Sequence, residues 1–303
     1  MQRSRLVFLL RCVVLSGVTC PFVALLGVTV LSVTACNNEP SAIKVTRLLL
    51  NLPPDLDNDA ITRAGILADI TKVLNDDRTT RFKLNDYKGT HALRVDVAAP
   101  PRPNTRGHRP DDDAFDPPEP PAQRVREELR ALGDAQSYDV VGRASVTENM
   151  QADVKSAYAD GWAVMTAMRR LDTSDERDMI SALASSDDRL QLFAAQRLGE
   201  RKSKAAVDPL ITLLNEKTRP ELALRAIGAL VRIGDSRAAE PMIDLASKKD
   251  PHFVLQVVFA LGALGGPTAE GYLVTLASGH PVEAVRRGAE DALAELARRH
   301  PQK

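Results

Sequence analysis

Apolar and polar positions along the chain change period several times, and each change marks an element. Residues 13–35 form an uncharged, mostly apolar run that follows Arg3, Arg5 and Arg11. Residues 36–43 turn polar and include Pro40, which reads as a short tether. Residues 44–52 form a short apolar run that fits either a helix or a strand. Ile61, Leu67, Ile70 and Leu74 recur at helical spacing after Asp57-Asn58-Asp59, and predict a helix over 57–75. Residues 79–84 and 91–97 read as strands; in the second, Leu93, Val95 and Val97 alternate with Arg94 and Asp96. Residues 98–121 break the pattern with eight prolines and Asp111-Asp112-Asp113. Such a stretch has little to bury and is expected to be disordered or polyproline-like, either a solvated loop between two strands or a partner-recognition segment. Residues 125–132 have a helical composition, but Gly133-Asp134 and the strand-like 138–146 argue for a hairpin, and strand is preferred. Val154, Ala157, Tyr158, Trp162, Met165 and Met168 share one face of a helix over 151–171, with Trp162 as a core anchor. Residues 44–171 are therefore expected to form a small α+β domain in which two helices cover one face of a meandering sheet.

From 172 to 303 the pattern is helical and repeats. Residues 188–198, 220–233, 251–264 and 281–296 are four related helices, separated by shorter ones at 205–214, 238–246 and 268–277. Ala205-Ala206-Val207-Asp208-Pro209-Leu210-Ile211 and Arg237-Ala238-Ala239-Glu240-Pro241-Met242-Ile243 begin almost alike, with each proline in a first turn where a missing N–H is tolerated. Turns near Gly234 and Gly265-Gly266 fold each pair into an αα-hairpin, and stacking buries the apolar faces. Ala226, Gly228, Ala260 and Gly262 are small enough for close helix approach. Phe253, Val254, Val257, Val258 and Phe259 make the third long helix apolar almost all round, which predicts that Phe259 lies between neighbouring repeats. The last long helix is charged and reads as the C-terminal cap.

These repeats resemble the short HEAT-like repeats of phycobilisome lyase proteins, in the pattern D-x-x-[LV]-x-x-x-A-x-x-A-L-[GA] followed by Ala-x-x-Pro-Leu-Ile. The resemblance covers roughly 120 residues and implies an all-α solenoid behind the α+β domain. In this repeat class the second helices line the concave binding face. That places Asp208, Thr212, Glu240, Asp244, Glu270 and Thr275 on a mildly acidic candidate surface, where they equally suit plain solvated positions.

Composition narrows the function. Forty basic residues balance forty acidic ones, so no overall field points to nucleic acid. The five histidines are not at metal-ligand spacing, and no phosphate loop, Cys-x-x-Cys or nucleophile elbow is present. No catalytic residue, cofactor, metal or small-molecule substrate is expected, and His252 and His280 read as turn and capping residues.

Val33-Thr34-Ala35-Cys36 after the apolar run resembles a lipobox. The resemblance implies a signal peptide over 1–35, cleavage after Ala35 and acylation of Cys36, palmitate included; an uncleaved membrane-spanning helix is the alternative. Cys12 and Cys20 would leave with the signal, so the mature chain has no internal disulfide. The expected protein is a cell-envelope lipoprotein, on the outer membrane facing the periplasm where two membranes exist. It would act as a protein-binding scaffold or adaptor through its repeats. Two alternatives remain open: an envelope assembly factor whose α+β domain carries the function, and an enzyme-assisting, lyase-like HEAT protein.

Overall fold

The computed structural model describes residues 43–57, 59–99, 122–133 and 137–299. All of them belong to one compact unit that begins at Asn38. The expected signal peptide, Cys36, the expected tether up to residue 42 and residues 100–121 of the expected Pro-rich stretch lie outside the described residues, whereas Ile43 already belongs to the first strand.

Five strands form one sheet in the order β2-β1-β3-β4-β5: β1 Ile43–Asn51, β2 Thr80–Phe82, β3 His91–Val97, β4 Ala122–Ala131 and β5 Ser137–Ser145. The undecided run at 44–52 is thus a strand, and 122–131 is the strand that the hairpin argument preferred. The sheet is not the expected meander throughout. Only β3-β4-β5 run antiparallel, while β1 pairs in parallel with both β2 and β3. Parallel pairing needs a crossover, and helix α1 (Ala60–Asp76) supplies it between β1 and β2.

Helix α2 (Met150–Thr173) joins α1 on one face of the sheet. Its apolar stripe is the predicted one, and Val154, Ala157, Tyr158, Trp162, Met165 and Met168 are all buried. Trp162 anchors the core, and its Nε1–H donates to Asp77 Oδ2 at 2.9 Å. Burial pushes the Asp77 carboxyl up, but hydrogen bonds from Thr79, Thr80 and Trp162 outweigh it and hold the group below its ordinary value. That carboxylate fixes the turn from α1 into β2.

A second apolar cluster fills the repeats. Helix α3 (Glu176–Ser181) leads into first helices α4 (Asp188–Glu200), α6 (Pro220–Ile233), α8 (Pro251–Leu264) and α10 (Glu283–Arg299). Between them run second helices α5 (Val207–Thr212), α7 (Ala239–Ala246) and α9 (Pro267–Gly279). Gly234, at φ 71°, ends α6 in the left-handed region where a side chain would be strained. First helices pack directly on one another: a methyl group at Gly199 would stand 2.7 Å from Ala229 Cα, and one at Gly262 would stand 2.8 Å from Ala292 Cβ. Gly228, expected at such a contact, instead faces open space. In α10, Val285, Ala289, Ala292 and Leu296 are buried while Arg287, Glu290, Asp291 and Arg298 are exposed, the make-up of a terminal helix covered on one side.

Phe259 corrects the expected packing. It is 53% exposed, whereas Val254, Val257, Val258 and Leu261 on the same helix are buried. Neighbouring repeats cover two flanks of α8 and its own hairpin partner covers a third, but one face stays with solvent. Phe259 falls on that face, as Gly228 does one repeat earlier. Leu230→Ala, at a fully buried position between repeats, is therefore expected to cost about 3 kcal/mol, and Phe259→Ala less than about 1 kcal/mol. Urea unfolding of both variants measures the difference.

Candidate functional site

The six candidate residues on the second helices are all exposed. Asp208 pairs with Arg237 of the next repeat at 2.9 Å, so its charge is offset. Thr212 and Thr275 turn their hydroxyls back to the carbonyls of Asp208 and Gly271. The acidity of this surface rests on Glu240, Asp244 and Glu270, which have no cationic partner within ion-pair distance among the described residues. Buried residues recur as Ala206 and Leu210, Ala238 and Met242, then Ala269 and Leu273. In that register Gly271, not Glu270, stands where Asp208 and Glu240 do, so the acidic row shifts by one residue at α9. A small cleft of about 240 Å³ lies beside Glu240, between Arg237 and the Gly265-Gly266 turn. His280 serves as a turn residue: its Nδ1 accepts from the Val282 N–H at 3.1 Å.

A second site, not foreseen from the sequence, lies where the sheet meets the repeats. β5 is an edge strand, and α4 closes part of its free edge. Arg189 Nη1–H donates to the Val141 carbonyl at 2.9 Å and to Asp160 Oδ2 at 2.6 Å, and Nη2–H donates to Asp187 at 2.7 Å. Asp160 also accepts the Arg143 backbone N–H at 2.9 Å. Burial raises the Asp160 carboxyl, but the hydrogen bond from Arg189 overrides it and keeps the group ionised. About two helical turns further on, Arg197 meets Asp172, which also accepts from the Tyr138 hydroxyl. A cleft of about 460 Å³ opens beside this junction, lined by Asp139, Val141 and Arg143 of β5, Phe193 and Gln196 of α4, and Arg225 of α6. Asp139 is held by Arg126, and Arg225 donates to Gln196 at 2.9 Å. Its polar groups engage one another across the junction.

Under the sheet lies an unusual pair. Glu127 of β4 is 0% exposed, and neither carboxylate oxygen has a hydrogen-bond partner; the Tyr158 hydroxyl is likewise unpaired. Gly161 of α2 leaves room for the Glu127 side chain. Burial, aided by Asp160, pushes the Glu127 carboxyl well above its ordinary value of 4.5, so it is held protonated. In the sequence Glu127 sits beside Glu128 with nothing to mark it; only the pleat separates a fully buried acid from a half-buried one on the other face.

Residues 176–258 match the family model for HEAT repeats. Those residues fall within the stacked helical pairs, from α3 into α8. Among solved structures, this chain is similar in part to a chain in the structure of the complex of CpcE and CpcF of phycocyanin lyase from Nostoc sp. PCC7120. That likeness has 23% identity and a TM-score of 0.33, and covers 41% of this chain and 66% of the other. No curated protein matches the sequence.

Two outcomes follow from the junction and the buried acid. Arg189→Ala leaves Asp160 and Asp187 without their shared cation and is expected to cost about 2 kcal/mol, less than for a fully buried pair because Asp160 is partly solvated; chemical denaturation reads it directly. Because the folded-state pKa of Glu127 is raised, its contribution to stability is complete below the unfolded carboxylate range and is lost as pH rises through the folded value. Glu127→Gln should therefore gain on the wild type steadily from about pH 4.5 upward in thermal melts across pH.

Proposed function

We propose that this chain is a membrane-anchored lipoprotein that uses its HEAT repeats as a scaffold or adaptor for a protein partner. The observation that carries the reading is the HEAT-type stretch itself, matched over residues 176–258 and folded as stacked helical pairs. Stacked αα-hairpins present long rows of exposed side chains from a rigid apolar core, an arrangement suited to holding another protein. The unpaired Glu240, Asp244 and Glu270 give one row an acidic character that a basic partner segment would read. Anchoring is supported by the Val33 to Cys36 motif and the apolar run before it. In an envelope with two membranes, the outer membrane facing the periplasm is the proposed location. A second reading gives the interaction to the sheet and its junction cleft, because that cleft joins sheet and repeats in one surface.

Two measurements test these claims. Growth with a fatty-acid analogue is expected to label the wild-type protein and not Cys36→Ser; equal labelling of both would remove the anchor from the proposal. A photo-crosslinking residue at position 244 should trap a defined partner, and the yield should drop about tenfold when Glu240 and Glu270 are both changed to Lys. An unchanged yield, with the fold intact by circular dichroism, would move the binding surface off the second helices.

A further inference from the structure

α1 and α2 cover only one face of the sheet. Cross-strand register fixes which side chains stand on the other. Lys44 pairs with Arg81 across β1 and β2, on the side opposite the buried Ile43 and Val45. Beyond the β-bulge in β1, Arg47 lies in one row with Ala92, Arg130 and Ser137, and Leu49 in the next with Arg94, Glu128 and Asp139. The following row holds Asn51, Asp96, Arg126 and Val141, and Arg124 stands directly opposite Arg143.

The three carboxylates of this face are already engaged. Asp96 pairs with Arg94, Glu128 with Arg130 and Asp139 with Arg126. Beyond these pairs the face carries Lys44, Arg47, Arg81 and Arg143. Of these, Lys44, Arg47 and Arg81 have no ion pair among the described residues, and Arg143 reaches Asp188 only at 3.7 Å. A chain whose charges balance overall thus gathers basic side chains on one face of the sheet among the described residues.

We propose that the face of the sheet opposite α1 and α2, led by Lys44, Arg47 and Arg81, docks on the headgroups of an anionic phospholipid bilayer. Guanidinium groups match phosphate oxygens in paired geometry, and several basic side chains together bind an anionic surface that one alone does not hold. None of the register-matched side chains on this face is aromatic, so it offers no platform for stacking nucleic-acid bases. Leu49, 54% exposed amid the cations, provides an apolar contact at the headgroup boundary. Chain length gives the same answer. Six residues separate Cys36 from Ile43, so a tether anchored at Cys36 reaches roughly 25 Å at full extension. β1 must then lie close to the bilayer, and it begins at the Lys44–Arg81 end. This last argument rests on the anchoring reading, whereas the charge pattern does not.

The test uses residues 38–303, the compact unit that holds both apolar cores, without any acyl group. Flotation is measured with vesicles of phosphatidylethanolamine and phosphatidylglycerol, and with vesicles of phosphatidylcholine alone. The unit is expected to float with the first and not the second, and to be released by raised salt. The triple variant Lys44→Glu, Arg47→Glu, Arg81→Glu should lose about a hundredfold in affinity. A control with the same charge change on the repeats, Lys202→Glu, Lys217→Glu, Arg232→Glu, should bind as the wild type does. Equal flotation with both vesicle types, no flotation with either, or equal losses in triple variant and control would overturn the proposal. So would binding that persists at high salt, which decides the matter even where the triple variant does not fold. Binding to an acidic protein or to RNA with no flotation would assign the face to another partner. Absent labelling at Cys36 would remove the anchor and leave the flotation result standing, so the two claims fail separately.

Discussion

Arg189 is the side chain through which the two layers of this protein are joined. It stands in the first turn of α4 and binds the acid that caps that helix, an acid on α2 and a carbonyl on the edge of β5. An edge strand offers unpaired N–H and C=O groups to any other strand, and proteins must close or blunt such edges. Here the closure is made by charge-assisted hydrogen bonds from the first full repeat. The same contacts that hold the repeat stack against the sheet also protect Val141 and Arg143, so position and protection come from one network. Phe193 reinforces it by packing on both apolar clusters.

The layers differ in how they are held. Inside the repeats, stability comes from many small apolar contacts, and Gly199 and Gly262 let helix backbones approach where larger residues would hold them apart. Inside the sheet layer the core includes a carboxyl group with no partner. A buried acid can remain there only in its neutral form, because a bare charge in an apolar setting costs far more than a lost proton. The buried acid makes the sheet layer lose stability as pH rises, whereas the lowered carboxyls of Asp187, Glu200 and Asp250 in the repeats lose their contribution as pH falls.

Surface charge follows the same division. The second helices show an acidic row broken by the Asp208–Arg237 pair, whereas the face of the sheet opposite α1 and α2 gathers basic side chains. A chain neutral in sum is therefore polar in arrangement. Such a molecule can meet an anionic surface with one part and a basic protein segment with another.

Much of this fold was legible in the sequence because local rules govern it. Helical period placed α2, α6 and α8, prolines in first turns marked α5 and α7, and Gly234 marked the end of α6, since each depends on backbone preferences within a few residues. The candidate row on the second helices was legible for the same reason, up to Glu270, where the register shifts. What depends on neighbours far along the chain was not legible. Apolar character alone put Phe259 inside, but whether a helix face is covered is decided by which helices pack around it. Glu127 and Glu128 are alike in sequence, and only the pleat and the position of α2 bury the one fully and leave the other half-buried on the opposite face. The arginines of β4 and β5 read singly as solvated positions. Strand order and register set them side by side, because pairing between strands is a tertiary fact that no single strand encodes.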